Sequence, residues 1–196
     1  MSVRRQARGE ERRREILHAT LALIERGGVE AVTHRAVGEA SGVPLGSVTY
    51  YFPTKDELLR EALECWVSEE VSRLSAVAEA IEREQLSPSE GAARWSELLR
   101  GNDPHQIAQF DLYLQAARDP SLRDAASEAF AAYERVAAAA LRAAGLSPED
   151  AERAAALFVA LADGLGLRRL AAPGAGPAAD DALVELFEAL GRRGGA

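Results

Sequence analysis

Thr33-His34-Arg35-Ala36-Val37-Gly38-Glu39-Ala40-Ser41-Gly42-Val43-Pro44-Leu45-Gly46-Ser47-Val48-Thr49-Tyr50-Tyr51-Phe52 is the stretch that decides the fold. Thr33 can cap a first short helix. Gly42 supplies the positive φ that a tight inter-helix turn needs, and Gly38 lets the second helix come close. Val37, Val43 and Val48 have the spacing of a small core that fixes the angle between two helices. Leu45, Gly46, Ser47, Thr49 and Tyr50 then fall on the opposite side of the second helix, free to meet a DNA major groove. An ordinary αα-hairpin is the competing reading of this pattern.

Working outward, the apolar residues recur at helical spacing and alternating strand-like runs are missing. Thr54 and Glu57 form a capping box. Ser87-Pro88, Asp103-Pro104, Asp119-Pro120 and Ser147-Pro148 each set an N-cap residue before a proline. Gly27-Gly28, Gly101 and Gly145 stand where helices should stop. These signals predict nine helices, over residues 11–26, 34–41, 45–51, 54–85, 89–100, 104–118, 121–144, 148–171 and 180–191, with a Gly/Pro/Ala loop at 172–179. The fold class is therefore all-α. In the first helix Ile16, Ala19, Thr20, Leu23 and Ile24 make one stripe for a core. The second and third are too short to stand alone and must be held by packing.

The segment resembles the TetR (tetracycline repressor) family of bacterial transcription regulators. The residues that carry the likeness are the leading helix ending in Gly27-Gly28, then Thr33, Gly42-Val43, and Tyr50-Tyr51-Phe52-Pro53-Thr54-Lys55-Asp56-Glu57-Leu58. Leu112-Tyr113 through Ala117-Arg118-Asp119-Pro120, and Asp163-Gly164-Leu165, look like weaker features of the same family's C-terminal half. The resemblance implies a homodimer of nine-helix subunits. Residues 1–53 would form an N-terminal arm and DNA-binding head, and 54–196 a ligand-sensing and dimerisation domain. It implies double-stranded DNA and a small-molecule effector as partners, with no cofactor. Carried over, Thr33 and Tyr50 would contact phosphate, as would Lys55 at a helix N-terminus. His34 and Gly46 join the DNA-facing candidates. Two residues depart from the family pattern: Pro44 brings no hydroxyl for a phosphate, and Leu45 suits only apolar edges such as a thymine methyl. Base reading must then lean on Ser47, Thr49 and Arg35. In the arm, Arg12, Arg13 and Arg14 are better placed for DNA than residues 1–8, which read equally well as a solubilising tail.

Beyond Glu61 no nucleophile–base–orienter set can be nominated, and His18, His34 and His105 fall on separate helices, so no enzyme and no metal site are expected. The single cysteine, Cys65, excludes disulfide frameworks and cysteine-based zinc sites, and beside Trp66 it reads as a small buried hydrophobe. The only lysine, Lys55, follows Thr54, which excludes a P-loop. Candidates for a ligand pocket are Trp66, Trp95, His105, Gln109, Phe110, Tyr113, Tyr133, Phe158 and Asp163, a set suited to an apolar or aromatic effector. Core packing competes for each aromatic among them. Leu157, Phe158, Leu161 and Leu165, with Leu183, Leu186, Phe187 and Leu190, give two stripes for a four-helix dimer interface. A dimeric helical interaction module without specific DNA binding is the rival reading.

The 196 residues are 47% hydrophobic and carry a formal charge of −8, which argues against nucleic acid when taken whole. Taken in parts it does not. Residues 1–60 hold ten basic and eight acidic side chains, net +2, and the remaining 136 carry −10. No stretch approaches the roughly 20 apolar residues that span a bilayer, and the Arg-rich start lacks a secretory apolar segment, so no membrane partner and a cytoplasmic, bacterial location are expected.

Overall fold

The computed structural model describes residues 2–84, 90, 103–172 and 185. Among them are seven α-helices: α1 Ser2–Gly27, α2 His34–Ser41, α3 Leu45–Tyr51, α4 Lys55–Glu84, α5 Asp103–Arg118, α6 Arg123–Ala143 and α7 Pro148–Ala171. Two 3-10 turns, Val29–Ala31 and Pro120–Leu122, join α1 to α2 and α5 to α6. No strand occurs among the described residues. The fold is the all-α one expected, with seven described helices where nine were predicted. The segments predicted as helices at 89–100 and 180–191 lie outside the described residues, apart from helical Glu90 and Glu185.

Local chemistry accounts for the boundaries. Thr33 caps α2 by accepting the Ala36 N–H at 3.1 Å, Thr54 accepts the Glu57 N–H at 3.1 Å before α4, and Ser147 accepts the Asp150 N–H at 3.2 Å before α7. Asp119 spends its carboxylate on the Ser121 N–H, which bends the chain into a 3-10 turn and delays α6 to Arg123. That hydrogen bond holds the Asp119 carboxyl below the usual carboxylate range. α1 starts at Ser2, nine residues earlier than predicted, because nothing in the Arg-rich arm stops a helix that is already nucleated downstream.

The described residues form two compact units, one drawn from Met1–Glu69 and Pro104–Ala126, the other from Glu70–Asp103 and Ser127–Ala196. The first is built on Ile16, Leu17, Leu21 and Ile24 of α1 with Val37, Val48, Phe52, Leu58, Leu63 and Leu112, all buried. The α1 stripe is thus rotated from the predicted one: Leu17 and Leu21 take the core positions, while Ala19 and Leu23 are half-buried at its edge. Thr20 is buried without strain because its hydroxyl donates to the Ile16 carbonyl at 2.8 Å. Asp111 of α5 accepts the Val29 N–H, and its burial pushes the carboxyl up from the ordinary value. In the second unit Leu74 and Ile81 pack with Val136–Leu141 and with Ala151, Ala155, Phe158, Val159 and Ala162. The alanines at 137–140 are all buried, so their role is close helix approach as much as helix propensity.

Candidate nucleic-acid interface

The head is set by its turn. Gly42 has φ +71°, a left-handed conformation that closes α2, and a Cβ there would meet nothing within 4 Å. Backbone conformation alone therefore demands the glycine. Gly38 answers to a different constraint: a Cβ would lie 3.0 Å from the Val43 carbonyl oxygen. Val37, Val43 and Val48 are buried, as their spacing predicts. His34 adds a tie that the sequence did not reveal, since its Nε2–H donates to the Phe52 carbonyl oxygen at 2.7 Å and links the start of α2 to the end of α3. Half-buried His34 is thus engaged within the head.

The outer face of α3 is open. Tyr50 is 80% and Leu45 50% exposed, Thr49 is exposed, and nothing stands within 4 Å of a Cβ at Gly46. The Thr49 hydroxyl donates to the carbonyls of Leu45 at 3.1 Å and Gly46 at 3.2 Å, which leaves its lone pairs outward. Ser47 is half-buried at the edge of this face. Pro44 is the N-cap of α3 and offers no side-chain bond. Arg35 is exposed and pairs with Glu39 one turn along α2 at 2.9 Å. Lys55 is the first residue of α4, whose first-turn N–H groups are met only in part by the Thr54 cap, and no carboxylate pairs with it among the described residues. Of the arm candidates, Arg13 is ion-paired to Glu61 and lies 5.3 Å from the centre of the Phe52 ring, so it braces α1 against the head. Arg12 and Arg14 are exposed.

The nominated ligand residues divide between the two units. In the first, Trp66 and His105 approach with ring centres 5.2 Å apart, Gln109 donates to the Tyr113 hydroxyl at 2.9 Å, and Phe110 meets Tyr113 edge-on at 6.3 Å. Trp66 is 4% exposed and its Nε1–H has no hydrogen-bond partner among the described residues. In the second, Phe158 is core, Asp163 is half-buried, and Tyr133 donates to buried Glu70 at 2.5 Å. Glu70, only 2% exposed, also takes two bonds from Arg73, whose guanidinium is held more firmly protonated by that contact. Trp95 lies outside the described residues. A groove of about 560 Å³ in the second unit is lined by Ser75, Glu79, Glu82, Glu134, Arg135, Arg142 and Glu152 with alanines, and none of the nominated residues lines it. Among the dimer candidates, Leu157 and Leu161 are 75% and 42% exposed and Leu165 is half-buried, while Leu183, Leu186, Phe187 and Leu190 lie outside the described residues.

A cap, a left-handed glycine turn and an open α3 face beside a helix N-terminus define a helix-turn-helix head of the kind that docks on nucleic acid. Known proteins agree. The description "Bacterial regulatory proteins, tetR family" matches residues 16–62, and "Tetracyclin repressor-like, C-terminal domain" matches residues 86–193. The chain belongs to the TetR family of bacterial transcriptional regulators. It is 35% identical over 123 residues to the HTH-type transcriptional repressor KstR of Mycolicibacterium smegmatis, covering 61% of this chain and 50% of that one. The chain thus spans half the length of that curated relative. It is 24% identical over 167 residues to the nicotine-responsive repressor HdnoR of Paenarthrobacter nicotinovorans, covering 83% and 86%. Solved structures with the same fold include a TetR family member from Streptomyces coelicolor A3, at TM-score 0.68 and 30% identity over 92% of this chain and 98% of that one. Another is the multidrug binding protein EbrR complexed with proflavin, at TM-score 0.66 and 29% identity over 91% and 99%.

Proposed function

We propose that this protein is a ligand-responsive transcriptional repressor that binds a palindromic operator as a homodimer and is released by a small molecule. The observation that carries the reading is the open outer face of α3, with Leu45, Gly46, Ser47, Thr49 and Tyr50 beside the ammonium of Lys55, which no carboxylate pairs among the described residues. Thr49 and Ser47 offer hydrogen bonds to base edges, Leu45 an apolar contact, and Tyr50 and Lys55 bonds to phosphate. Two copies would set their recognition helices roughly 34–36 Å apart, one turn of duplex. The exposed leucines 157 and 161 of α7 are the surface that a second copy would cover.

Effector release follows if a ligand binds one arrangement of the dimer better than the DNA-bound one. The buried Trp66 Nε1–H beside His105, without a partner among the described residues, is a donor that an effector's acceptor could meet, and the aromatic surroundings suit a planar or apolar molecule. That HdnoR responds to nicotine and EbrR binds proflavin supports an aromatic effector here. Titration of the protein with a palindromic promoter duplex and with random duplex, at several salt concentrations, tests the reading. Preference for the palindrome is expected, and equal affinity for both at moderate salt refutes repression through an operator. The rival, a helical interaction module without specific DNA binding, draws on Pro44 and exposed Leu45. It predicts unchanged DNA affinity in a Tyr50→Phe, Lys55→Ala double variant, whereas the repressor reading predicts a clear loss.

A further inference from the structure

We propose that His18, Cys65 and Glu69 form a binding site for one divalent transition-metal ion, zinc foremost, which joins α1 to α4 on the surface of the first unit. A lone cysteine and scattered histidines argue against such a site in the sequence, but the fold brings together donors that the sequence keeps apart: His18 and Glu69 are separated by 51 positions, yet the His18 Nε2 lies 2.8 Å from Glu69 Oε1. Cys65 precedes Glu69 by one helical turn, and its Sγ lies 3.8 Å from the same carboxylate oxygen. All three donor atoms fall within 4.8 Å of one another. Tetrahedral zinc with bonds of about 2.0–2.3 Å spaces its ligand atoms by roughly 3.3–3.6 Å. Opening the 2.8 Å His18–Glu69 pair by about half an ångström and drawing in the widest pair by about 1 Å, both within reach of side-chain rotation, turns the present cluster into three arms of a tetrahedron.

The donor set and its setting select the ion. One imidazole, one thiolate and one carboxylate suit zinc, cobalt or nickel, whereas calcium and magnesium ask for oxygen alone. His18 and Glu69 keep 49% and 57% of their side-chain surface exposed, so the fourth position faces water. Burial and the neighbouring Glu69 carboxylate raise the Cys65 thiol, against a smaller pull from Arg14 and Arg13. A dication would take the thiol proton's place, accept both Cys65 and Glu69 as anions and relieve their repulsion. An ordinary surface His–Glu pair with a thiol beside it is the alternative. The ion would pin α1, which packs on α2, to α4, which follows the recognition helix directly. Any effect on operator affinity rests on the DNA-binding reading above, whereas ion binding does not.

The test uses the full-length protein, stripped with chelator and titrated with Co²⁺ in the absence of DNA. Expected is one Co²⁺ per chain, with a near-ultraviolet thiolate-to-cobalt charge-transfer band and intense tetrahedral visible bands, all displaced by Zn²⁺. Cys65→Ser should abolish the charge-transfer band. His18→Ala and Glu69→Gln should each weaken binding by at least the roughly 10–100-fold that even outer-shell changes cause. All three side chains are at least partly exposed, so circular dichroism of each variant should match wild type. Absence of the band at equimolar Co²⁺, or unchanged affinity in His18→Ala, would overturn the proposal. Because the readout is optical and DNA-free, failure of operator binding would leave it intact, and the converse also holds.

Discussion

Lys55 gives the sharpest test of the interface. In the free protein it sits badly: an ammonium at the first residue of a 30-residue helix faces the positive end of the macrodipole, and although Asp56 and Glu57 share that turn, neither forms an ion pair with it. Replacing it by alanine should leave folding unchanged or stabilise it slightly, by about 0.3–1 kcal/mol at low salt. On DNA the sign reverses, because the same helix N-terminus and ammonium converge on one phosphate. Each neutralised phosphate contributes about 0.9 to the slope of log affinity against log salt, so a dimer losing two such contacts should lose about 1.8. Between 50 and 200 mM salt, a fourfold change, that slope difference corresponds to about 12-fold. Wild type should therefore shed affinity about 12-fold more than Lys55→Ala across that range. Fluorescence anisotropy with a labelled palindromic duplex reads the slope, and differential scanning calorimetry reads the stability. A slope that is unchanged in the variant, or a large fall in melting temperature, would refute the placement of Lys55 on phosphate.

Other consequences can be checked independently. Gly42→Ala should destabilise by about 1–2 kcal/mol in denaturant titration, purely from the left-handed backbone, since a Cβ there touches nothing. Tyr133→Phe removes a hydrogen bond to the buried Glu70 carboxylate and should cost about 1.5–3 kcal/mol in chemical unfolding, whereas a loss below 0.5 kcal/mol would mean the bond is not formed in solution. Asp111 has a raised pKa in the fold, so its contribution to stability is complete at low pH and is lost as pH rises through its folded pKa. Asp111→Asn should remove that part of the pH dependence of the melting temperature. The proposed dimer predicts that wild type sediments as two chains and that Leu157→Glu and Leu161→Glu together yield a monomer with the helical signal intact, because both side chains are exposed within one chain.

The head was legible because its constraints are local. Gly42, the Val37–Val43–Val48 spacing and the Thr33 and Thr54 caps act within a few residues of one another, and each does what its residue type dictates. What escaped was long-range. Nothing near His34 in the chain announces the Phe52 carbonyl, and Arg13 reads as a DNA-contacting arginine until Glu61 and Phe52 are seen to hold it. Cys65 was expected to be buried beside Trp66. It is only half-buried, because it lies on the flank of α4 that carries Glu69, while Trp66 and Val67 take the core side. The start of α1 was misjudged for the opposite reason: intrinsic signals in the arm are weak, and packing further along decides the outcome. Tyr133 looked like a ligand contact by virtue of being polar among alanines, and its hydroxyl is satisfied by Glu70, a residue 63 positions away.

Asp111 holds the Val29 N–H, so a helix far along the sequence, α5, completes the joint between α1 and α2. The head is thus not a cassette. A graft that carries only the first 53 residues onto a foreign body would leave the Val29 amide without its Asp111 partner and omit the rest of the compact unit, residues 54–69 and 104–126. Anyone building a biosensor by exchanging operator specificity should transplant the surface of α3 residue by residue, or move residues 1–69 and 104–126 together.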